Sequence, residues 1–414
     1  MTSDTELPLV ATSALRQSSS LRCRDPRETY ALAAPLMPAF GISRVTDITR
    51  MDRLGLPVFV SVRPRSLTVH VHAGKGVHAA EARIGALMEA LELAVAEPAG
   101  SRWTPRSTST IHLIESWSGR LQLEDLALWL AARPEPEHVV VTVDCEQLGH
   151  AATIALPADL VFLPFEQAAG ATMFGSTSTG LASGNTLEEA TLHALLEVLE
   201  RDAVAMNSAR NASCRIEPGE LPPAFAAMAR DWANLGVELA VRFIPNEFDL
   251  PCFEACLYEA ASDTVNLAGG FGLHLDRDIA VARAICEAAQ SRVGHIHGGR
   301  ADVTHFYERC APENRAARRA ADAASVAAHF DASRRIAFAD VPQMACAGRA
   351  VPALLEAVLA RLRERGFGTV LRHRFAADLR GLHVVKVVVP RCEDFEPRHP
   401  RIGPRLRARV FGHA

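Results

Sequence analysis

The residues best suited to chemistry are acids on a predicted helix near the middle of the chain. Glu197 and Glu200 are three positions apart in residues 174–204, where Thr186 has the residue type of an N-cap and leucines recur at helical spacing. This spacing places both carboxylates on one helix face, about one turn apart. Because like charges repel, a cation such as Mg²⁺ bound to nucleotide phosphates would stabilise the pair. The simpler alternative is the solvated face of an amphipathic helix.

The same arrangement recurs elsewhere in the sequence. Residues 74–93 align without a gap on residues 182–201, which pairs Glu89 with Glu197 and Glu92 with Glu200. A third stretch, residues 273–292, repeats the three-residue spacing with Glu287 and Gln290. Three acidic helices of this kind indicate one supersecondary unit used three times around a shared site.

The elements that must position these acids are short strands placed before each helix. Residues 58–62 and 67–72 have the composition of strands, and a Gly-Lys-Gly sequence then leads into the first acidic helix. Lys75 and free backbone N–H groups at a helix amino end suit an anion, although the full P-loop spacing is absent. A second Gly-rich stretch, 268–275, opens the third helix. His274, His295 and His297 lie near it, and a structural role is the favoured interpretation for them.

The rest of the chain is predicted to alternate helices and strands. Residues 1–22 are Ser/Thr-rich, and we expect order to begin near Pro26. The composition of 311–335 indicates a surface helix or mobile excursion, and residues 391–414 are expected to form solvated coil, although their arginines could instead face a phosphate or a partner. The remaining predicted elements are helices at 123–130, 223–234 and 350–365, and strands at 139–143, 237–243, 252–258 and 383–390.

Composition excludes several classes of function. The 414 residues are 49% hydrophobic and carry a net charge of only −4, so no basic surplus favours nucleic acid or an anionic membrane. Nine cysteines without a CxxC spacing indicate neither a disulfide framework nor a structural zinc site, and Cys252 and Cys256 are expected to be buried thiols. The sequence has no recognisable signal peptide and no membrane-spanning apolar stretch. A cytoplasmic location is therefore expected.

Four sequence blocks together resemble the YcaO family. They are GKG…ALMEALE (74–92), STGLASGNTLEEA…HALLEVLERDA (178–203), ARAICEAAQSR (282–292) and VVKVVVP (384–390). Residues 41–64 resemble more narrowly the branch associated with TfuA proteins. The resemblance implies an α/β fold of β-sheets packed with helices, with three related strand–loop–acidic-helix units around a nucleotide site. It implies a mobile segment at 1–25, an ATP-binding catalytic domain at 26–405 and a tail at 406–414.

The resemblance also implies roles for individual residues. ATP and Mg²⁺ would serve to activate a peptide backbone amide. The implied metal ligands are Glu89, Glu92, Glu197, Glu200 and Glu287. The implied nucleotide-binding residues are Lys75, Ser178, Asn185, Glu189, Arg201, Arg283 and Gln290, of which Lys75, Arg201 and Gln290 are also the implied catalytic residues.

Some positions depart from the family pattern. Gly85 replaces a usual Ser, Leu93 a common Arg, Thr179 a common Asn and Arg391 a usual Gly, and the chain lacks a PxPxP ending. The missing PxPxP ending favours thioamide formation in a ribosomally made precursor peptide, with a TfuA-like partner and a sulfide donor, and Leu93 suits the TfuA-associated branch. Gly85 could weaken nucleotide binding. The alternatives are azoline-forming cyclodehydration of Cys, Ser or Thr, and a non-catalytic scaffold that binds a peptide or partner. The resemblance also implies a homodimer.

Overall fold

The computed structural model describes residues 14–165, 173–262, 267–300, 314–397 and 399–412. This part of the chain is a mixed α/β structure in which helices pack on β-sheets, as the sequence predicted. Its α-helices are α1 (Pro26–Ala33), α2 (Ala79–Ala96), α3 (Thr110–Ser116), α4 (Leu187–Ala209), α5 (Pro223–Asn234), α6 (Arg277–His297), α7 (Arg315–Phe330), α8 (Val351–Glu364) and α9 (Pro404–Phe411).

The strands are short and pair antiparallel. In chain order they are β1 (Leu15–Arg16), β2 (Leu21–Arg22), β3 (Arg44–Asp47), β4 (Val58–Val62), β5 (Val71–Lys75), β6 (Arg106–Ser109), β7 (Leu128–Trp129), β8 (Val139–Gln147), β9 (Ala152–Pro157), β10 (Leu181–Gly184), β11 (Cys214–Ile216), β12 (Glu238–Phe243), β13 (Cys252–Tyr258), β14 (Leu267–Leu273), β15 (Leu371–Arg374), β16 (His383–Val388), β17 (Phe395–Glu396) and β18 (His399–Ile402).

Three sheets support the three acidic helices. The largest has the order β10-β16-β15-β8-β6, with β9 also paired to β8, and α4 packs on it. The sheet β3-β4-β5 carries α2, and the sheet β11-β12-β13-β14 carries α6. Each acidic helix therefore follows directly after a strand of the sheet on which it packs. The buried cores below the helices consist mainly of Leu, Ile, Val, Ala and Phe.

Glycines allow each of these helices to approach its preceding strand closely. A Cβ atom at Gly74 in β5 would overlap the Ala82 carbonyl oxygen and the Ala86 backbone nitrogen of α2. Gly184 in β10 and Gly270 in β14 are equally close to the backbones of α4 and α6. The three helices thus lie almost in backbone contact with their strands. This contact fixes the distance of the acidic side chains from the sheets.

Two predicted elements were wrong for one shared reason. Residues 123–130 form only a 3₁₀ turn (Glu124–Leu126) and strand β7, and Ala127 adopts the left-handed conformation with φ 53°. Strand β18 of the tail pairs with β7, and the Arg401 guanidinium donates to the Leu126 and Ala127 carbonyls at 2.7 and 2.9 Å. The tail is therefore not coil, and its pairing replaces the helix predicted from the apolar pattern.

The tail also contacts α4, and a carboxylate caps the amino end of its helix α9. Arg405 forms an ion pair with Asp202 at 2.5 Å, and the Glu393 carboxylate accepts from the backbone N–H groups of Gly403 and Leu406 at 2.6 and 2.9 Å. Arg391 donates to the Gly366 carbonyl. The tail arginines named here therefore bind protein groups.

Other helices and strands begin or end at different residues than predicted, but the architecture is unchanged. Residues 67–70 precede β5 rather than forming part of a strand, and the Gly-rich stretch before α6 is itself strand β14. Order begins before Pro26, because residues 15–22 form the hairpin β1-β2. Residues 315–330 form the surface helix α7, whereas 311–313 lie outside the described residues. Cys252 and Cys256 are buried, as predicted.

We predict that Gly74→Ala lowers the free energy of unfolding by about 3 kcal/mol or more, because the new methyl group forces α2 away from β5. Denaturant unfolding monitored by circular dichroism measures this loss. Gly219→Ala is the control, since a Cβ atom there meets nothing within 4 Å. Equal stability of both variants would contradict the close approach of α2 to β5.

Candidate active site

The three acidic helices surround one cavity of about 1120 Å³. Its wall contains residues from β5, β10, α2, α4 and α6, together with residues from the amino-terminal segment and α7. All twelve residues to which the sequence analysis gave a metal, nucleotide or catalytic role lie on this wall: Lys75, Glu89, Glu92, Ser178, Asn185, Glu189, Glu197, Glu200, Arg201, Arg283, Glu287 and Gln290. Their separate roles stay predictions.

The first acidic pair belongs to α2. Glu92 accepts hydrogen bonds from the backbone nitrogen and Oγ of Ser183 in β10, at 2.8 and 2.5 Å. Burial raises the pKa of Glu92 to about 8, although the Ser183 bonds oppose this. Burial also raises the pKa of Glu89, whose carboxylate lies 4.0 Å from the Arg300 guanidinium. Burial thus favours protonation of both side chains when no cation is bound.

The second pair belongs to α4, and its two members differ in environment. Burial raises the pKa of Glu197 to about 7, with Arg201 opposing the shift and Glu200 adding to it. Glu200 is 2% exposed and accepts a hydrogen bond from the backbone nitrogen of Leu273 at 2.8 Å. This bond ties α4 to the end of β14. Glu200 therefore joins the second acidic unit to the third.

An ion pair between Lys75 and Glu287 joins the first unit to the third. Burial opposes ionisation of Glu287, but Lys75 and Arg201 outweigh it and lower its pKa. Gln290, one turn further along α6, donates to the Ala73 carbonyl at 3.4 Å. Lys75, which is expected to bind phosphate, therefore forms an ion pair with Glu287 of the site.

Glu189 differs from the other acids because protein donors fully surround it. It pairs with Arg22 at 3.2 Å and accepts from the Cys23 backbone nitrogen at 2.7 Å and the Asn185 amide at 3.0 Å. Burial raises its pKa, but Arg22 and these donors outweigh burial and lower it. Glu189 is thus a charged anchor between α4 and the amino-terminal segment.

The amino-terminal segment supplies wall residues that the sequence analysis missed. Ser18 and Ser19 donate to the Glu81 carboxylate at 2.6 Å, and Arg16 pairs with Asp276 before α6. Together with Arg22 on Glu189, these contacts attach the segment to the first turns of all three acidic helices. A polar Ser/Arg sequence has no hydrophobic periodicity, so the sequence alone could not show where this segment lies. Its contacts with acidic residues at the three helices show its position.

Two histidines near the cavity, His193 and His274, have pKa values lowered by burial. His274 is buried, its Nδ1 lies 3.2 Å from the backbone nitrogen of Asp276, and burial lowers its pKa to about 3. His193 and His295 line the cavity, and the pKa of His193 is held low by burial and by Arg22. His297 lies in the last turn of α6. The structural interpretation of His274, His295 and His297 stays a prediction.

Lys386 is a further buried cation that the sequence analysis left without a role. It is 2% exposed in β16, and its Nζ donates to the Thr177 carbonyl in the loop that carries Ser178. Burial lowers the pKa of Lys386 to about 8. Lys386 thus fixes the position of the loop at Ser178.

The charges on the wall fit a nucleotide held with divalent cations. Among the described residues, eight acids and six basic side chains line the cavity: Glu81, Glu89, Glu92, Glu189, Glu197, Glu200, Glu287 and Asp322, with Arg22, Arg24, Lys75, Arg201, Arg283 and Arg300. Within the same ranges, no three acids, histidines or cysteines are close enough to hold a metal by themselves. Mg²⁺ would therefore need phosphate oxygens to complete its coordination, as it commonly does.

Arg283 provides an observation that favours an anion. Its Nε is buried and has no hydrogen-bond partner among the described residues. A buried cationic donor without a partner costs free energy, which an anionic ligand would recover. Gly85 also lines the cavity, and a Cβ atom there would be 3.4 Å from the Gly74 Cα.

A family model described as YcaO cyclodehydratase, ATP- and Mg²⁺-binding, matches residues 73–393, more than half of the chain. The chain belongs to the YcaO family. This confirms the family predicted from the sequence, and the family description agrees with ATP and Mg²⁺ as cofactors.

Individual relatives extend the match across most of the chain. An uncharacterized protein of Methanothermobacter thermautotrophicus is 32% identical over 405 residues, covering 93% of this chain and 98% of the relative. An uncharacterized protein in the tfuA 3′ region of Rhizobium leguminosarum bv. trifolii is 32% identical over 339 residues, covering 75% and 77% of the two chains.

A solved structure shows the same fold. YcaO from Methanopyrus kandleri, bound with AMPPCP and Mg²⁺, superposes with a TM-score of 0.73 at 22% identity, covering 95% of this chain and 98% of that one. In this YcaO protein, no helix within the described ranges has the length and apolarity needed to cross a bilayer.

We predict that Mg²⁺·ATP binding to this YcaO protein releases protons and strengthens as pH rises toward 8. Glu92 and Glu197 have pKa values of about 8 and 7, well above their ordinary value of 4.5, and both must lose protons to bind a metal. Calorimetry in buffers of different ionisation enthalpy measures the released protons.

The raised pKa values of Glu92 and Glu197 also predict how the stability of the metal-free chain depends on pH. Between pH 4.5 and about 8 the folded chain binds more protons at Glu92 and Glu197 than the unfolded chain does. These two acids therefore make stability fall as pH rises through this window. Glu92→Gln should flatten the slope. A variant with the same slope as wild type would show that Glu92 is ionised in the folded chain at neutral pH.

Proposed function

We propose that this protein uses ATP and Mg²⁺ to convert a peptide backbone amide of a ribosomally made precursor peptide into a thioamide, with a TfuA-like partner and a sulfide donor. The observation that carries the proposal is the cavity itself, because acids from three helices and cations from two of them line one cavity. Such an arrangement suits phosphoryl transfer, which depends mainly on positioning and on neutralising charge.

The proposed role of each residue follows from its charge. Glu89, Glu92, Glu197, Glu200 and Glu287 supply oxygen ligands for Mg²⁺. Lys75, Arg201 and Arg283 neutralise charge that develops on the transferred phosphoryl group, and Gln290 contributes an uncharged amide beside them. Bound ATP with Mg²⁺ supplies the phosphoryl group that makes the amide oxygen a leaving group. Ser178 and Asn185 hold the nucleotide from the α4 side, where Glu189 fixes Asn185.

The proposed reaction balances with hydrosulfide as the nucleophile. The amide carbon gains a bond to sulfur, and the amide oxygen takes the terminal phosphoryl group. The carbon–oxygen bond then breaks, phosphate leaves with that oxygen, and the sulfur loses its proton to give the thioamide. No change in oxidation state is needed, so the reaction requires no redox cofactor.

Two observations favour the thioamide product. The relative encoded in the tfuA 3′ region and the resemblance of residues 41–64 both support a TfuA-like partner.

The second candidate function is azoline-forming cyclodehydration, which the description of the matched family favours. The two reactions share the amide activation and differ only in the nucleophile. Mass spectrometry of the modified peptide separates them, because oxygen-to-sulfur exchange adds mass whereas cyclodehydration removes one water. A non-catalytic scaffold that binds a peptide or partner is less consistent with buried acids of raised pKa at Glu92 and Glu197.

The proposed setting of the reaction is the cytoplasm. The eight described cysteines are free thiols, as is usual in a reducing compartment. A homodimer is the assembly that the family resemblance implies, and sedimentation analysis would test it.

We predict that Glu200→Gln lowers ATP turnover at least about 100-fold, because it removes a metal-binding charge at constant size. The glutamine oxygen can still accept from Leu273, so the fold should persist. The assay measures Mg²⁺-dependent phosphate release, with ATP binding followed by calorimetry. Glu197→Gln should behave in the same way.

Glu188→Gln is the matched control, since Glu188 lies on α4 but does not line the cavity. It should retain wild-type turnover and affinity. Wild-type turnover in both Glu197→Gln and Glu200→Gln would overturn the proposed metal site. Failure of the wild type to bind ATP would require a partner to complete the site or would favour the scaffold function.

A further inference from the structure

Residues 177–180, which we call the Ser178 loop, lead into strand β10 without forming a helix or strand of their own. The Ser178 carbonyl accepts a hydrogen bond from the Leu181 backbone nitrogen at 2.8 Å. Ser178 is exposed and lines the cavity, whereas Thr177 and Thr179 on either side of it are half-buried. The loop therefore presents one of its three hydroxyl groups to the cavity.

The Thr179 hydroxyl connects this loop to the carboxyl-terminal tail. Its Oγ1 donates to Oδ1 of Asp394 at 3.1 Å, although the two residues are 215 positions apart in sequence. The other carboxylate oxygen of Asp394 accepts from the Arg401 guanidinium at 2.8 Å. A chain of hydrogen bonds thus leads from the tail to the residue next to Ser178.

Arg401 gives the Asp394 carboxylate a fixed position. The two side chains are only 9% and 13% exposed, and the same guanidinium donates to the backbone carbonyls of Leu126 and Ala127. Hydrogen bonds between charged groups are stronger than those between neutral groups, and a guanidinium that donates in several directions has little freedom to rotate. Asp394 is therefore a rigid acceptor for the Thr179 hydroxyl.

Lys386 fixes the Ser178 loop on the other side of Ser178. Its Nζ donates to the Thr177 carbonyl, and its backbone in β16 pairs with Leu181 in β10. The sheet thus holds the loop at Thr177, and the tail holds it at Thr179. A side chain between two anchored neighbours has a defined position before a ligand binds, which lowers the entropy cost of binding.

We propose that Thr179 and Asp394 are positioning residues that hold the Ser178 hydroxyl where it contacts the bound nucleotide. This inference rests on the proposed function, in which Ser178 holds the nucleotide. Neither Thr179 nor Asp394 lines the cavity, so both act through the loop. The tail thereby increases nucleotide affinity without contacting the nucleotide.

The test compares Thr179→Val, which removes the hydroxyl group at nearly constant volume, with Thr179→Ser, which keeps it. Calorimetry measures the affinity of the full chain for a non-hydrolysable ATP analogue with Mg²⁺. We expect Thr179→Val to weaken this affinity about fivefold, the effect of losing one hydrogen bond. Thr179→Ser should have wild-type affinity. In turnover assays Thr179→Val should raise KM for ATP more than it lowers kcat.

Asp394→Ala removes the same hydrogen bond from the tail side and should weaken nucleotide affinity to the same extent. Thr179→Val decides the question if Asp394→Ala does not fold, because it leaves the ion pair with Arg401 in place. Thr142→Val is the matched control. Thr142 is buried, and its hydroxyl donates to the Arg106 carbonyl at 3.3 Å away from the cavity wall. This control should lose stability but keep wild-type affinity.

A double-mutant cycle with Ser178→Ala separates positioning from a general structural effect. Ser178→Ala alone should weaken nucleotide affinity. If Thr179 acts through Ser178, then Thr179→Val causes no further loss in a chain that already carries Ser178→Ala. A purely structural role of Thr179 would instead make the two losses additive.

The outcomes distinguish this inference from the proposed function. Wild-type affinity in Thr179→Val would overturn the inference, as would additive losses in the cycle or wild-type affinity in Ser178→Ala. In each of these cases nucleotide binding by the wild type would still support the proposed function. Failure of the wild type to bind the analogue would contradict the proposed function and the inference together.

Discussion

Electrostatic repulsion among acids shapes the centre of this protein. Within the described ranges eight carboxylates line one cavity, and burial raises the pKa of Glu89, Glu92 and Glu197. The repulsion between carboxylates is reduced in different ways. Arg22 pairs with Glu189, Lys75 pairs with Glu287, and Glu92 has a pKa raised to about 8, which favours its neutral form. The arrangement is consistent with a site completed by divalent cations, because their charge would remove the remaining repulsion.

Close contact between strands and helices keeps these acids in place. Gly74, Gly184 and Gly270 let three helices lie nearly in backbone contact with the strands that precede them. Hydrogen bonds then connect the units, with Ser183 on Glu92 and Leu273 on Glu200. Because each contact joins an acid of one unit to the backbone or side chain of another, a shift of one helix disturbs the whole cavity.

The two ends of the chain complete the structure in different ways. The amino-terminal segment lies against the cavity through Ser19 and Arg22, whereas the tail packs on the opposite part of α4 through Asp202. Arg201 lines the cavity and lies 3.8 Å from Glu396 of the tail, and its neighbour Asp202 pairs with Arg405. The position of α4 is therefore set from both sides.

The sequence by itself determined the α/β class and the set of acids on three helices, because helical spacing and Gly-rich turns are local features. The resemblance of four sequence blocks identified the family. It could not place residues 14–25, whose order depends on acids distant in the chain such as Glu81 and Glu189. It also failed at residues 123–130 and in the tail, because pairing between Trp129 and Arg401 overrides local helix preference. The tertiary structure alone decided how the three acidic helices face one another, and with this the size of the cavity, since these depend on contacts between residues far apart in sequence.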